Sequence, residues 1–456
     1  MTEQKRAANA ITEGVIWKQL MIFFFPILLG TFFQQLYNTA DAMIVGRFVG
    51  KEALSAVGGT TSTIINLIIG FFVGLASGAT VIISQYYGAR QRENVSHSVH
   101  TAMALAIAGG ALLTVVGIII APWALRLLNT PEDVMGHAQT YLRIYFAGTI
   151  GNLIFNIGSG ILRAIGDSKR PLYVLIACTC ANIVLDLLLV LVIPMGVAGA
   201  GIATILSQLI SAVLVLWLLS RSGEDMRVHV KRIKLHRDLL GRIFRIGLPA
   251  GLQSVFYSLS NMVIQSSVNS FGTDVMAGWT VYGKVDGLFW MMMNAFGIAI
   301  TAFIGQNYGA RQYARVKKSV RVCLAIAFGA SIFLSVVIYL FGGMITSLFT
   351  DDPAVIVQSK EIIAFMVPYF VTYVCIEILS GALRGAGDSL RPMLMVCFGV
   401  CGVRVLWIML LVPIFHTFAW VMASYPVSWT LTSILFIIYY KKFSTLRNLN
   451  VDMPLE

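Results

Sequence analysis

Charge is the scarcest resource of this 456-residue chain: only 12% of its residues are charged, against 57% hydrophobic, and the mean hydropathy is +0.81. So few polar residues cannot cover a water-soluble globule of this size, which places the chain in a bilayer. The chemistry of an enzyme is also missing. The six histidines are dispersed at 97, 100, 137, 229, 236 and 416, and form no metal-ligand motif or activated nucleophile, which argues against an integral-membrane enzyme and against a bound metal or organic cofactor. No GxxxxGK[ST] phosphate loop occurs, so ATP is not expected to be the direct energy source. The six cysteines, at 178, 180, 323, 375, 397 and 401, have neither metal nor redox spacing and read as small apolar residues. A cleaved signal peptide is not expected either: the first apolar run is too long and lacks a small-residue cleavage site after it.

What the chain has in abundance is long apolar runs. Spans of about 20 apolar residues, enough to cross a hydrocarbon core of ~30 Å, fall at 17–43, 54–83, 98–122, 138–161, 171–194 and 197–219, then at 244–270, 276–305, 320–343, 361–383, 392–413 and 418–440. The chain also repeats itself. Tyr87-Gly88-Ala89-Arg90-Gln91 returns as Tyr308-Gly309-Ala310-Arg311-Gln312, and the LRAIGDSKRP run from Leu162 to Pro171 returns as LRGAGDSLRP from Leu383 to Pro392, both displaced by 221 residues. Two unrelated motifs sharing one offset indicate a tandem duplication. Six spans per half is an even number, so both halves cross the membrane in the same sense. The expected fold is an all-α integral membrane protein of twelve transmembrane helices, in two six-helix bundles related by a pseudo-two-fold axis along the membrane normal. Residues 1–220 would form the first lobe, 221–242 a linker and 243–456 the second lobe.

The basic residues orient this arrangement. With the N-terminus inside, 26 of the 33 Lys and Arg fall at inner positions, only Arg47, Lys51, Arg126, Arg143 and Lys360 at outer ones, and Lys284 and Arg404 within spans. This asymmetry implies an inner membrane location with both termini cytoplasmic. The net charge of +12 is thereby explained by topology, and nucleic acid is not expected as a partner. The basic stretch from Arg221 to Arg242 is either a solvated tether or a partly amphipathic segment lying on anionic lipid.

Ionisable groups inside a membrane cost on the order of 2.5 to 3.5 kcal/mol each, so each is a functional candidate. In the first half these are Asp41 in span 1 and Asp186 in span 5, with Asn182 one turn before Asp186 on the same helix face. At about 1.5 Å per residue from the outer helix ends, Asp41, Asp186 and Thr204 arrive at one depth, ~9 to 12 Å in. Two carboxylates meeting in a low-dielectric bundle cannot both ionise cheaply, so the pair shares a proton or holds a cation. In the second half, the repeat equivalents of Asp41 and Asp186 are apolar residues and Trp407, while Lys284, Asp286, Glu377 and Arg404 are new. Glu377 and Arg404 are expected to form a structural ion pair. Lys284 and Asp286, two residues apart, need other partners, and with Gln253, Trp279, Tyr282, Trp290 and Met292 are candidates for a substrate cleft. The aromatic and sulfur groups would suit flat cations, although helix packing explains them equally well.

Twelve spans in two halves, with a YGARQ run after the second span and an LRxxGDSxRP run after the fourth span of each, resemble the multidrug and toxic compound extrusion (MATE) family over essentially the whole chain. The resemblance implies an exporter of amphipathic, often cationic small molecules in exchange for H+ or Na+ by alternating access, with no cofactor beyond that ion, surrounded by lipid and acting as a monomer. Asp41 with Asn182-Ile183-Val184-Leu185-Asp186 is similar to the cation-coupling pattern of the DinF-like branch, with Thr204 and Tyr37 as its hydroxyl partners. Pro26 is similar to the proline at which the first helix of that branch bends, and reads as hinge or ordinary kink. The acids of the sodium-coupled branch are absent at Gln253 and displaced at Glu377. The repeated motifs, with Arg90, Arg311, Arg163 and Arg384 at helix ends, are expected to serve gating or topology. A flippase for lipid-linked or other endogenous metabolites in the same superfamily is the alternative, but an anionic head group would call for more than two intramembrane basic residues.

Overall fold

The computed structural model describes residues 11–128, 130–223, 226–350 and 352–447. Among these the regular structure is entirely helical, as expected where water cannot satisfy backbone groups and each segment must satisfy its own. Six rods form the first half: α1 (Ile16–Phe48), α2 (Lys51–Gly88), α3 (Arg92–Leu127), α4 (Glu132–Ala147 and Thr149–Ala164), α5 (Lys169–Val192) and α6 (Gly196–Ser220). Six more follow: α7 (Arg237–Asn269), α8 (Thr273–Gly309), α9 (Tyr313–Ser347), α10 (Pro353–Gly385), α11 (Leu390–Phe415) and α12 (Phe418–Lys442). Each coincides with one expected span. Ten are long and apolar enough to cross a membrane, and α4 becomes an eleventh when its two pieces, bent by 50°, count as one. The remaining rod, α7, is 33 residues long, but Arg237, Arg242 and Arg245 at its start and a run of Ser, Asn and Gln side chains lower its hydropathy. The bend in α4 falls at Gly148, where any Cβ would stand 2.4 Å from Ile205 of α6, so close helix approach is bound to the absence of a side chain.

The two repeated motifs are helix terminators. Arg90 and Arg311 have φ of 58° and 57°, and Gly166 and Gly387 have φ of 93° and 97°. After each, the next amide reaches back five residues: Gln91 N–H to Tyr86 O at 3.0 Å, Gln312 to Asn307 at 2.9 Å, Asp167 to Leu162 and Asp388 to Leu383 at 3.0 Å. This is the Schellman closure of an α-helix, which satisfies carbonyls that the helix itself leaves unbonded. Asp167 then accepts the amides of Lys169 and Arg170, each at 3.1 Å, and pairs with the Arg170 guanidinium at 3.0 Å, starting α5.

The chain forms two compact units, and the changeovers lie inside helices rather than in the 221–242 segment that divides the repeat. One unit comprises Phe25–Gly251, the other residues 11–24 together with 252 onward. Both changeovers sit beside a proline, Pro26 in α1 and Pro249 in α7. In the first unit α2 and the start of α7 cross backbone to backbone, since a Cβ on Gly74 would lie 2.5 Å from Gly251 and one on Gly78 2.3 Å from the Ile243 carbonyl. Such small-xxx-small pairs allow close van der Waals packing where lipid supplies no hydrophobic drive. The second unit packs instead on aromatic rings: Phe24 stacks on Phe296 at 4.0 Å and Phe289 on Phe370 at 4.3 Å, with Trp429 fully buried beside them.

Candidate functional site

The apolar periodicity of α1, α4, α5 and α6 brings four polar positions to one place within the first unit. Ile44 and Val45 of α1, Tyr141 and Tyr145 of α4, Val190 of α5, and Val197 and Ala200 of α6 form one buried cluster. The carboxylates sit against it. Asp41 is 5% exposed, and Asn182, Asp186 and Thr204 are at most 1% exposed. The α5 backbone carries Asn182 and Asp186 on one face and passes into a π-helical stretch, Leu187–Val192, immediately after Asp186. Widened turns of this kind recur at functional sites because they re-aim neighbouring side chains.

Hydrogen bonding in this cluster is incomplete. The Tyr141 hydroxyl donates to Asp41 Oδ2 over a long 3.4 Å. Asp41 Oδ1, both Asp186 oxygens, both polar atoms of the Asn182 amide and the Tyr37 hydroxyl are buried without a partner among the described residues. Asp41 and Asp186 act on one another electrostatically. Tyr37 and Tyr141 both approach the Thr204 hydroxyl, and Tyr145 approaches Gln208. Buried polar atoms are nearly always bonded, so this group of orphaned atoms on α1 and α5 is the feature of the first unit that calls for a functional account. The sequence reading missed Tyr141, Tyr145 and Gln208. Their only signal is spacing: Tyr141 and Tyr145 are four apart on α4, as are Thr204 and Gln208 on α6.

In the second unit the expected ion pair is corrected. Glu377 and Arg404 have other partners. Glu377 accepts from the Tyr373 hydroxyl at 3.2 Å and feels the Arg384 guanidinium, and its carboxylate fills the gap left by Gly297, where a Cβ would lie 2.0 Å from Oε1. Arg404, 2% exposed, lies with its guanidinium 4.0 Å from the Tyr425 ring centroid, reaches Ser428 Oγ at 3.5 Å and feels Asp286. A planar cation gains more from a ring face in a desolvated site than from a carboxylate it cannot reach.

The other second-lobe candidates divide between cluster and core. Asp286 Oδ2 accepts from Trp290 Nε1 at 2.7 Å, with Tyr282 adjacent, whereas Lys284 is exposed on the other side of α8, so the two charges do not meet. Trp279 packs against Tyr282, Phe418 and Tyr425 at 5.2 to 5.9 Å. Met292 is 9% exposed and takes part in the α8 core, and Gln253 is half-buried on α7. Pro26 lies inside the continuous helix α1.

The chain as a whole resembles known proteins. The MatE family model matches residues 26–188 and, a second time, residues 249–410. The chain is similar to probable multidrug resistance protein YoeA of Bacillus subtilis, with 29% identity over 397 residues and 86% of each chain covered. It is also similar to probable multidrug resistance protein YpnP of the same organism, with 30% identity over 389 residues, covering 85% of this chain and 86% of the relative. A solved multidrug resistance MATE family transporter of the MOP superfamily, in its outward-facing conformation, shares the fold with a TM-score of 0.89 at 22% identity, over 97% of this chain and 98% of that one.

Proposed function

The chain belongs to the MatE family, whose members are transporters and not enzymes, and from that premise we propose that it is a secondary active multidrug efflux antiporter. In this reading it exports amphipathic, often cationic small molecules and draws its energy from H+ or Na+ entering the Asp41/Asp186 cluster. The observation that carries it is the group of orphaned buried oxygens on Asp41, Asn182 and Asp186. A carboxylate pair in a low-dielectric bundle persists only where function repays its cost, and exchange of a small cation is the function such a pair performs.

The cycle follows from competition between two conformations. Ion entry from outside neutralises the pair, and the state so favoured releases substrate outward; ion loss to the inside restores the state that reloads. Pro26 supplies the pliant point. Its missing N–H leaves the carbonyl one turn earlier without its helical donor, so α1 bends there at low cost and the charge of Asp41, fifteen residues on, biases bent against straight. In the same reading both termini face the cytoplasm of the inner membrane, the protein acts as a monomer among lipids, and the presence of Asp41 with Asn182 and Asp186 supports a DinF-like assignment. Trp279, Tyr282, Asp286 and Trp290 supply an aromatic and anionic surface to substrate, with Lys284, Gln253 and Met292 beside them.

Transport in proteoliposomes with separately imposed pH and sodium gradients tests the proposal. One gradient should drive uptake of a fluorescent lipophilic cation, and Asp41→Asn should abolish coupled transport while leaving a folded, inserted protein. Coupled transport persisting in that variant removes Asp41 from the mechanism, and a response to neither gradient removes ion coupling altogether.

A further inference from the structure

The segment between the halves is fastened by histidines. Four of the six gather where it lies along α3. His97 stacks on His236 with centroids 4.7 Å apart, and His100 lies parallel to His229 within 7° at 6.4 Å. His100 is 2% exposed and uses both ring nitrogens. Its Nδ1 lies 2.7 Å from the Ser96 carbonyl oxygen, which can only accept, so Nδ1 carries hydrogen. Its Nε2 lies 3.1 Å from the His229 backbone N–H, which can only donate, so Nε2 carries none. Opposed partners thus dictate one neutral tautomer. Beside it Thr101 Oγ1 donates to the Lys234 carbonyl at 3.4 Å and lies 3.1 Å from His236 Nδ1. Met226, Val228 and Ile233 pack on the core of the same unit.

Among the described residues, the charged groups that act on His100 are His97 from its own helix and His229 and Arg232 from the segment, with no carboxylate among them. A second proton would therefore set Nε2–H against an N–H donor, beside a guanidinium. His100 is the ninth residue of α3, whose 36 residues at about 1.5 Å each span ~54 Å and so exceed a core of ~30 Å, which puts the start of this helix, where the segment lies along it, at the membrane edge.

We propose that His100 is a pH-operated latch: neutral, it holds segment 226–236 on α3 through the His229 amide, and protonated, it lets go. The sign follows from proton counting. The docked state binds fewer protons than the released state, so docking is complete above the histidine titration range and is lost as pH falls through it. Release frees the tether that leads into α7, whose first half crosses α2 at Gly247 and Gly251. With the cytoplasmic orientation proposed above, the latch answers internal acidification.

The test is hydrogen–deuterium exchange of the 226–236 peptide in the full-length protein in lipid nanodiscs, from pH 8 to 5, corrected for the intrinsic pH dependence of exchange. It reads the linker and not transport, so its outcome is independent of ion coupling. Wild-type protection should fall about tenfold per pH unit as pH drops through the titration of His100. His100→Gln, whose amide oxygen can accept from the His229 N–H but takes no proton, should stay protected throughout. His229→Pro, which removes the donor, should be unprotected at every pH. Flat wild-type protection overturns the latch, and so does the wild-type response persisting in either variant.

Discussion

Replacing Asp186 with Leu should make the protein more stable and stop transport. Both carboxyl oxygens are buried without hydrogen-bond partners among the described residues, and the side chain is 0% exposed. Leaving a buried polar atom unbonded costs about 1–3 kcal/mol, and Asp186 shares its site with the Asp41 carboxyl. Leucine branches at the same atom as Asp and removes both terms, as when a buried charged group gives way to an apolar one, while its bulkier methyl groups take back part of the gain. Allowing for relaxation, we expect a gain of about 1–3 kcal/mol. At roughly 2–4 °C per kcal/mol for a large domain, the apparent Tm in detergent should rise by about 2–12 °C. Fluorescence-detected size exclusion after heating, in sodium-free buffer, reads this directly. Adding sodium gives a second reading: if sodium is the coupling ion, the wild type gains about 2.7 kcal/mol at a hundred times its dissociation constant while the Leu variant gains nothing. Transport by the same variant in proteoliposomes should fall to background. A variant less stable than wild type by more than about 1 kcal/mol, or one that still transports, would falsify the claim that Asp186 is an unsatisfied group kept for function.

Further substitutions probe the packing within each unit. Gly247→Ala places a Cβ 2.3 Å from the Leu75 carbonyl and should cost about 1–3 kcal/mol, whereas Gly136→Ala, facing open space inside a helix, should gain about 0.5–1 kcal/mol; equal melting temperatures for the two would refute the backbone crossing. Arg404→Lys keeps the charge but loses the planar contact with Tyr425 and should cost about 1–2 kcal/mol. A double-mutant cycle with Tyr425→Leu checks this, and strict additivity would sink it. Arg315 donates four hydrogen bonds to the carbonyls of Ile11, Glu13 and Gly14, so Arg315→Ala should release the segment ahead of α1, at about 1–3 kcal/mol for these partly exposed bonds. Amide exchange over residues 11–20 measures it, and unchanged protection would show that the segment is held by other contacts.

How much of the site was legible in the sequence depended on how unusual each residue is in its surroundings. Asp41, Asn182 and Asp186 stood out because ionisable and amide groups are expensive in apolar runs. Tyr141, Tyr145 and Gln208 did not, because tyrosines and an occasional amide are ordinary in such helices, and only packing of α4 and α6 against α1 turns them inward. The pairing of Glu377 with Arg404 failed for a related reason. Opposite charges within a bundle suggest a pair, but Arg384, seven residues along the same helix from Glu377, and the ring of Tyr425 compete for them, and that competition is settled by geometry. The shared offset of 221 between repeated motifs likewise marked the duplication without showing that α1 and α7 each divide between units.

Composition and periodicity alone determined that the chain is a duplicated helical membrane protein, because an apolar segment in lipid has no backbone solution but the helix and each helix must be long enough to cross. They also marked the Gly-Asp motifs that end helices, since a left-handed glycine followed by Asp is a local event. Tertiary structure decided which helix ends exchange, which tyrosines face the aspartates, where the two second-lobe cations turn and how the histidines close on the linker. Each of these depends on contacts between residues distant in sequence, where helix rotation and side-chain volume select among partners that the one-dimensional pattern leaves equivalent.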